Sequence, residues 1–419
     1  MLSGRRVEGV GFASPKFITL AGGLAIGLLI LFLKANVQAN LVLASGLGEA
    51  GDEIAPQWEA GQSRLAFLKI NRLCIYDAET GQPPKPVTLS LPEAISLDDL
   101  QPLSFAWSPA GGHRFVVLYA EKKGRLALYL GQDYQIIQRL IEFPQGGKGV
   151  QFSRLSWSPD GQEILYADNG VLYRLSLSIP AKIQPERLIP DGVLPDGPQA
   201  ESWGVLNPQD KDVLAFQSES NGRQAIYVYH RTLKKIIGRI EGHSSICHPA
   251  WSPDGGKLVF FVGASVEGKL LADSRKDTGL SWGLGYVSYD QSRKEISPLR
   301  EVSRGDMVRR KPPYADFTPI CWTPDSRRII YAAYGQENEP KLTIANLSSG
   351  KTSKLNLGER IAVNTPQGHA TFWNMRLIYS DISCACTSNG KCRLAFAAEV
   401  DLGESNSRVV IRDIDLADY

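Results

Sequence analysis

The sequence predicts an all-β fold, namely a β-propeller of seven blades with four antiparallel strands each, preceded by one N-terminal transmembrane helix or signal segment. Two observations predict this class. Tryptophan returns about once in 50 residues, and the text between tryptophans divides into short apolar runs bounded by Gly, Pro, Asn and Asp, without helical periodicity. Four strands in a unit of this length are typical of a propeller blade. Six blades is the alternative count, if the degenerate first or last unit is not a blade.

The clearest unit is Leu155–Tyr166, which reads LSWSPDGQEILY. It predicts a short strand ending on Trp157, a tight turn through Ser158–Gly161, and a second strand from Ile164. In such a turn proline sets φ at the first corner, the aspartate side chain caps the turn, and glycine accepts the exit geometry. The same text returns with varying fidelity around seven of the eight tryptophans, which we take as repeat markers: Trp58, Trp107, Trp157, Trp203, Trp251, Trp322 and Trp373.

The units differ most at the two ends of the chain. Gln57–Gly61 keeps only the outline of the turn, and the text after Trp373 lacks it, as is usual for terminal repeats. The last unit is expected to form its four strands at His369–Trp373, Leu377–Ile382, Arg393–Val400 and Arg408–Asp413.

The Trp-Ser-Pro-Asp-Gly turn followed by an apolar strand resembles the WD40-like (PD40) repeat of TolB-type propellers. The resemblance covers the chain from about residue 50 to the C-terminus. It implies a propeller fold, whereas it implies little about function, because the motif is a structural turn. TolB itself carries an α/β domain ahead of its propeller, and here an apolar segment takes that place.

The N-terminal part of the chain, up to Asp52, is predicted to hold the protein at a membrane. Residues 1–16 form a short cytoplasmic N-terminus, 17–34 a transmembrane anchor or signal-peptide core, 35–52 a linker, and 53–419 the propeller. Phe17–Leu33 is apolar and uncharged, and Arg5, Arg6 and Lys16 precede it, which places the N-terminus inside. A cleavage site after Ala39 is the alternative, and a buried core helix is the third reading. Either of the first two readings exports the propeller to the extracytoplasmic side, periplasmic or extracellular if the segment is cleaved.

Charge and motifs argue against several functions. The chain carries 46 Lys and Arg against 44 Asp and Glu, so no nucleic-acid partner is expected. Gly279–Gly283 matches a nucleophile elbow and Gly46–Gly51 a phosphate loop, but neither has the required strand–helix context. Five histidines are too few for a His-rich metal centre. We therefore expect no catalytic residue, no metal and no cofactor. The recurring acids belong to the turns: Asp160, Asp254 and Asp325.

The cysteines divide into two groups. Cys74, Cys247 and Cys321 stand alone in apolar strand text and are expected to be buried thiols. Three more lie around Asn389-Gly390, which marks a hairpin tip. A disulfide between Cys386 and Cys392 is the expected use of this group in an exported protein. The alternatives are a bridge between Cys384 and Cys392, or a metal site that lacks a fourth ligand.

One interval between markers, from Trp251 to Trp322, is much longer than all the others. The excess is expected to form loops at Gly263–Ser281 and Val302–Asp316. The second carries Arg304, Arg309, Arg310 and Lys311, a candidate partner-binding loop for an acidic partner or anionic lipid headgroups. The alternative is a solvated basic loop without a role.

Three functions remain. The first is a non-catalytic, membrane-tethered scaffold or envelope-assembly component, with unknown protein partners in the cell envelope and the membrane bound through the N-terminal helix. The second is a propeller-type hydrolase or polysaccharide lyase acting on an extracytoplasmic glycan or peptide. The third is a sensor that has lost its cytoplasmic part, for which the stretch before the apolar run, Met1–Lys16, is too short to be a signalling domain.

Overall fold

The computed structural model describes most of the chain after residue 52 and a short segment before it. The described residues are 41–42, 53–59, 64–69, 72–91, 95–121, 124–143, 155–178, 183–195, 200–220, 223–241, 245–265, 280–308, 320–334, 340–355, 360–364, 370–386, 391–401 and 405–418. The predicted cytoplasmic segment 1–16 and the predicted anchor or signal core 17–34 lie outside them.

The first four blades are successive sheets, each built from one continuous stretch of chain. Blade 1 contains β2 (Glu53–Trp58), β3 (Arg64–Lys69), β4 (Arg72–Asp77) and β5 (Lys85–Pro86). Blade 2 contains β7 (Leu100–Trp107), β8 (Arg114–Glu121), β9 (Leu126–Gln132) and β10 (Gln135–Phe143), with β6 (Thr88–Leu89) parallel to β10. Blade 3 contains β11 (Ser156–Trp157), β12 (Glu163–Asp168), β13 (Val171–Ser176) and β14 (Pro185–Arg187). Blade 4 contains β15 (Ala200–Leu206), β16 (Val213–Ser220), β17 (Arg223–His230) and β18 (Lys235–Glu241).

Of the last three blades, blades 5 and 7 carry additional strand segments and blade 6 has four strands. Blade 5 contains β19 (Ser245–Trp251), β20 (Lys257–Ser265), β21 (Leu280–Asp290), β22 (Glu295–Ile296) and β23 (Arg300–Val308). Blade 6 contains β24 (Ile320–Trp322), β25 (Arg328–Tyr334), β26 (Pro340–Asn346) and β27 (Thr352–Lys354). The seventh sheet contains β28 (Arg360–Asn364), β29 (Ala370–Cys386), β30 (Lys391–Asp401), β31 (Ser405–Asp415) and β1 (Leu41–Val42). Short 3₁₀ turns occupy Leu97–Asp99 and Leu416–Asp418. The predicted all-β propeller is confirmed with seven blades, and the count of six is wrong.

The core of the propeller lies in layers between adjacent blades. Each layer combines buried side chains of two neighbouring sheets, for example Trp107 and Leu68 between blades 2 and 1, and Trp157 and Val116 between blades 3 and 2. Further layers join blades 3 and 4, 4 and 5, 5 and 6, and 6 and 7. A last one packs Trp58 of blade 1 against Ala395 of blade 7. Every described blade is therefore packed on both faces, and the ring is closed.

Blade 7 is built from both ends of the propeller. The C-terminal half of β29 is its innermost strand, because Ser383 Oγ accepts a hydrogen bond of 2.8 Å from the Trp58 N–H of blade 1, while Cys384 contacts blade 6. β30 and β31 follow outward, and β1 pairs with β31 as the fourth strand, with Leu41 opposite Ile411. An N-terminal strand thus completes a blade made from C-terminal strands, which locks the ring.

This arrangement corrects the prediction for the last unit. His369–Trp373 and Leu377–Ile382 are not two successive strands of the blade, because β29 runs without interruption from Ala370 to Cys386. Trp373 pairs with Ile361 of β28 and does not end an innermost strand, so it is not a repeat marker. The expected linker 35–52 contains β1, so the propeller also begins before residue 53.

Trp203 is the second tryptophan that is out of register. The position equivalent to the motif tryptophan in blade 4 is Leu206, which directly precedes the turn Asn207–Asp210. Trp203 lies three residues earlier, at a bulge with φ of 52°, where His248 stands in blade 5 with φ of 57°. The bulge is shared by the two blades, and sequence spacing places Trp203 wrongly because blade 4 has Leu206 at the motif position and tryptophan at the bulge.

The remaining motif tryptophans join neighbouring blades by hydrogen bonds. In four of them the indole Nε1–H donates to the backbone carbonyl of the residue that precedes the motif position in the blade before it, at 3.0–3.2 Å. The pairs are Trp107 to Gln57, Trp157 to Ala106, Trp251 to Val205 and Trp322 to Ala250. The bond to Val205 confirms Leu206 as the motif position in blade 4. These tryptophans therefore connect neighbouring blades by a hydrogen bond and also pack in the core.

In blades 3, 5 and 6 the turn after the motif position is held by its own polar side chains. Ser158 Oγ donates to Asp160 Oδ1 at 2.6 Å and accepts from the Glu163 N–H at 2.8 Å. The same hydroxyl–carboxylate pair occurs at Ser252 and Asp254 in blade 5, and at Thr323 and Asp325 in blade 6. The interpretation of these aspartates as turn residues is thus supported by their contacts.

Stability should fall in acid because of these turn aspartates. The Ser158 hydroxyl holds the pKa of Asp160 below its usual value; at Asp254 and Asp325 burial opposes the shift, and hydroxyl and N–H donors outweigh it. A carboxyl whose pKa is lower in the folded state stabilises the fold above its unfolded pKa of about 4, and this contribution is lost as pH falls through the folded value.

We expect the variant Asp160→Asn, Asp254→Asn, Asp325→Asn to be less stable at pH 7 and to lose less stability than the wild type between about pH 5 and pH 3. Urea unfolding midpoints measured across this range check the expectation. Glu79→Gln, an exposed acid outside these turns, is the control. Parallel pH profiles for the wild type and the triple variant would contradict the assigned role.

Candidate functional site

The two faces of the propeller differ in what they carry. Because the four strands of a blade are antiparallel, the turns from first to second strand and from third to fourth strand lie on one face, which we call the turn face. The turns from second to third strand, and the connections between blades, lie on the opposite face, which we call the insertion face. The Trp-Ser-Pro-Asp-Gly turns are all on the turn face.

Blade 5 extends toward the insertion face. Its strands β20, β21 and β23 stay paired up to Ser265 opposite Leu280, and Ser281 opposite Val308. The long connections 266–279 and 309–319 leave from these strand ends. The two excess segments found in the sequence are thus attached to the same end of the same blade.

Blade 7 adds a hairpin at this face. β28 pairs with Ala370–Asn374, whereas the pairing of β29 with β30 starts at Met375. β28 and the N-terminal part of β29 thus form a hairpin outside the blade sheet. The hairpin lies where the innermost strand begins, which is the insertion face. The described extensions of blades 5 and 7 both project on the insertion face.

The predicted basic loop is partly a strand. Arg304 belongs to β23, so the expected loop at Val302–Asp316 begins only after Val308. This expectation was wrong because β23 serves as the outer partner of β21 in blade 5. Arg309, Arg310 and Lys311 lie outside the described residues.

The cysteines form a bridge that the sequence did not predict. Cys321 of β24 and Cys384 of β29 are joined by a disulfide, with Cα atoms 6.0 Å apart. The expectation that Cys321 is a free buried thiol is wrong, and the alternative Cys384–Cys392 bridge is excluded. The physical reason is that the innermost strands of blades 6 and 7 lie side by side. Cys74 and Cys247 are buried, as predicted.

The predicted partners Cys386 and Cys392 lie directly opposite each other in the register of β29 and β30. Cys392 is disulfide-bonded. The Cys386 side chain lies outside the described part of the structure, so the Cys386–Cys392 bridge stays a prediction. Its hairpin belongs to the turn face, and therefore to the opposite face from the long connections of blade 5.

The two motif matches behave as expected where they are described. Ser281 of the match at Gly279–Gly283 lies inside β21, and a strand interior does not provide the sharp strand–helix turn of a nucleophile elbow. Gly46–Gly51 lies outside the described residues. Within the described ranges, no three His, Cys, Asp or Glu side chains group as a metal site would require.

A cleft of about 300 Å³ opens between blades 3 and 4, and we call it the seam cleft. Sequence reasoning missed it, because its two walls come from different repeat units and share no motif. The lining residues are Arg174, Glu186, Arg187, Leu188, Pro190, Asp212, Tyr229, Arg231, Thr232 and Lys234.

Two carboxylates behind the seam cleft anchor its arginines. Glu163 accepts from Arg231 at 2.8 and 3.0 Å and from Arg174 at 2.5 Å. Burial opposes the shift, but the two guanidinium groups hold the pKa of Glu163 below its usual value. Glu201 lies 3.6 Å from Arg187 and accepts the Leu172 N–H at 3.0 Å. Burial raises the pKa of Glu201 despite these contacts.

Comparison with solved structures shows the fold. The chain is similar to the β-propeller domain of Myceliophteria thermophila Cps50 (Swd1), at 13% identity and a TM-score of 0.53, over 87% of this chain and 98% of that one. It is similar to Kuenenia stuttgartiensis hydrazine synthase at the same identity and TM-score, over 89% of this chain and 98% of that one. No protein-family model and no curated protein matches the sequence. The part of the chain that the structure describes contains no helix with the length and hydropathy of a membrane span.

Proposed function

We propose that this protein is a non-catalytic scaffold of the cell envelope, and that it binds a protein partner through the insertion face of blades 5 to 7. The observation that carries the proposal is that blades 5 and 7 are both extended on that one face. Loops on a rigid scaffold are the usual place for binding residues. Arg309, Arg310 and Lys311 would supply contacts to an acidic partner.

The proposal includes an extracytoplasmic location and a TolB-like membership. The Cys321–Cys384 disulfide supports the location, because such bridges persist in oxidising compartments. The uncharged run Phe17–Leu33 supports tethering at the membrane. The Trp-Ser-Pro-Asp-Gly turns support the TolB-like membership.

Capture of the partner from native membranes tests the proposal. After chemical cross-linking and affinity purification, we expect the wild type to recover a specific partner, and the variant Arg309→Gln, Arg310→Gln, Lys311→Gln to recover at least about tenfold less, as loss of several charged contacts implies. The control is Lys351→Gln together with Lys354→Gln, which removes cations from the third-to-fourth-strand region of blade 6.

If the triple variant and the wild type recovered equal amounts of the partner, the basic segment would not be part of the binding surface. A second outcome would favour the hydrolase or lyase alternative over the scaffold. In that case no specific partner is recovered, and the purified protein turns over an envelope glycan or peptide.

A further inference from the structure

Blade 7 is joined to blade 6 differently from the way in which most blades are joined. In blades 2, 3, 5 and 6 the motif tryptophan donates an indole hydrogen bond to the blade before it. In blade 7 the motif position is Cys386, because it ends the innermost strand and pairs with Cys392, as Trp322 pairs with Ile329 in blade 6. Blade 7 therefore has no indole at this position to bond blade 6.

The disulfide takes the place of that hydrogen bond. By the pattern of the other blades, the acceptor in blade 6 would be the carbonyl of Cys321, which precedes Trp322. Cys321 is instead joined covalently to Cys384, two residues before the motif position of blade 7. A further hydrogen bond of 2.6 Å runs from Arg328 of blade 6 to the Leu416 carbonyl after blade 7. The covalent connection between these two blades is thus one that a reductant can break.

The seam between blades 7 and 1 also lacks the indole bond. The Trp58 Nε1–H is buried and has no acceptor among the described residues. The backbone N–H of Trp58 donates to Ser383 Oγ at 2.8 Å, and β1 adds two residue pairs with β31 at the outer edge. Blade 7 therefore has no indole hydrogen bond to either neighbour within the described part of the chain.

The seam between blades 3 and 4 shows the other way to replace an indole. Leu206 stands at the motif position of blade 4. That seam is closed by the Arg231–Glu163 ion pair at 2.8 Å and by Ser156 Oγ, which donates to the Gly204 carbonyl at 2.7 Å. These contacts do not respond to a reductant, whereas the bridge of blade 7 does.

The bridge is placed where an external thiol can reach it. Cys321 and Cys384 are partly exposed at the edge of the layer between blades 6 and 7, whereas Cys392 is 1% exposed within that layer. Exposed disulfides are the ones that thiols reduce most readily.

Reduction by a dithiol balances without any further reactant. One thiolate of the dithiol attacks a sulfur of the bridge, forms a mixed disulfide and releases the other sulfur as a thiolate, which takes up a proton. The second thiol of the dithiol then displaces the first cysteine. The products are two cysteine thiols and the disulfide of the reductant.

Strand β29 connects the bridge to the insertion face. It is continuous from Ala370 to Cys386, and its two parts have different partners. The C-terminal part carries Cys384, and the N-terminal part pairs with β28 in the hairpin outside the blade sheet. Between the two parts, residues 378–381 have no partner on β30. Because Cys384 fixes the strand beyond this interruption, loss of the bridge allows β29 to shift, and the hairpin shifts with it.

We propose that the Cys321–Cys384 disulfide is a redox switch for blade 7. A dithiol reductant opens the seam to blade 6 and releases the hairpin that blade 7 presents on the insertion face. The proposal rests on the proposed function in one respect, because the hairpin belongs to the face that we assign to the partner. The oxidised protein would hold the partner, and the reduced protein would release it.

Hydrogen–deuterium exchange with and without dithiothreitol tests the proposal on the full chain. We expect reduction to raise the exchange rate of residues 360–364 and 370–374 by at least about tenfold, while β16 and β17 of blade 4 stay unchanged, because the bridge restricts only openings that separate blades 6 and 7. Alkylation by iodoacetamide before and after reduction shows that Cys321 and Cys384 change from bonded to free.

Two variants separate this bridge from the other cysteines of blade 7. Cys386→Ser with Cys392→Ser should respond to dithiothreitol as the wild type does. Cys321→Ser with Cys384→Ser should exchange rapidly at the hairpin in both conditions. Circular dichroism establishes that each variant is folded. If the second variant does not fold, the first one decides, since it isolates the bridge without removing it.

The proposal would be overturned by unchanged exchange at the hairpin on reduction, or by a uniform increase in all blades, which would make the bridge purely structural. Partner capture by cross-linking should also fall about tenfold on reduction. Equal capture in both redox states would overturn the regulatory role. Absence of a partner in either state would instead remove the proposed function, because the exchange measurement needs no partner.

Discussion

Under oxidising conditions, the free energy of unfolding of the variant Cys321→Ser, Cys384→Ser is expected to be about 4 kcal/mol lower than that of the wild type. The bridge spans 63 residues and joins blades 6 and 7, so it removes a large part of the freedom of the unfolded chain. Urea-induced unfolding followed by far-UV circular dichroism measures the difference.

The control for this prediction is the second pair, Cys386→Ser with Cys392→Ser. A bridge between these positions would close only a short hairpin, and its loss should cost about 2 kcal/mol. Reduction of the wild type should reproduce the combined loss. A Cys321→Ser, Cys384→Ser variant as stable as the wild type, or a larger loss from the hairpin pair, would contradict the assigned inter-blade bridge.

Trp157→Ala should lower the free energy of unfolding by about 3–5 kcal/mol, as removal of a buried tryptophan does in other cores. Trp157 packs in the layer between blades 2 and 3, and its indole donates to the Ala106 carbonyl at 3.0 Å. The substitution removes both the packing and the hydrogen bond that fastens the two blades. Unfolding by urea gives the measurement.

Trp157→Phe separates the two contributions. It keeps most of the packing but leaves the Ala106 carbonyl without its donor, so a loss of about 1–3 kcal/mol is expected. If Trp157→Phe had the same free energy of unfolding as the wild type, the hydrogen bond between blades would contribute nothing to stability. If Trp157→Phe and Trp157→Ala lowered the free energy of unfolding equally, the contribution assigned to packing would be wrong.

The repeat could be predicted from sequence because its turn is local. Ser158, Asp160 and Gly161 form their hydrogen bonds within a few residues, so the motif text alone specifies the strand–turn–strand unit. Spacing then counted the blades correctly. It failed at Trp203, because blade 4 carries Leu206 at the motif position and its tryptophan three residues earlier, at the bulge.

The last blade could not be predicted because its construction is non-local. Which strand is innermost depends on the packing of β29 between β24 and β2, and the fourth strand, β1, comes from the other end of the propeller. For the same reason Cys321 and Cys384 could not be paired from text that separates them by 63 residues. The placement of Cys386 opposite Cys392 could be predicted, since the Asn389-Gly390 text indicates the hairpin register locally, and their bridge stays a prediction.

The candidate sites, too, could be predicted only where they depend on local sequence. The sequence indicated where the chain departs from its repeat, because extra length between Trp251 and Trp322 is visible without a structure. It did not show that the departures in blades 5 and 7 share one face. The seam cleft was not predictable, since Arg174 and Arg231 converge only through the packing of two blades.

Site-specific photo-cross-linking in native membranes tests the central claim most directly. A photoreactive amino acid is placed at Ser281 or Val308, at the insertion face of blade 5, and in control proteins at Ser292 or Lys351, in turns on the turn face of blades 5 and 6. We predict a discrete adduct with the same partner from Ser281 and Val308, and none from Ser292 and Lys351. Adducts from the turn-face positions alone, or no adduct from either insertion-face position, would contradict a scaffold that binds its partner through the insertion face.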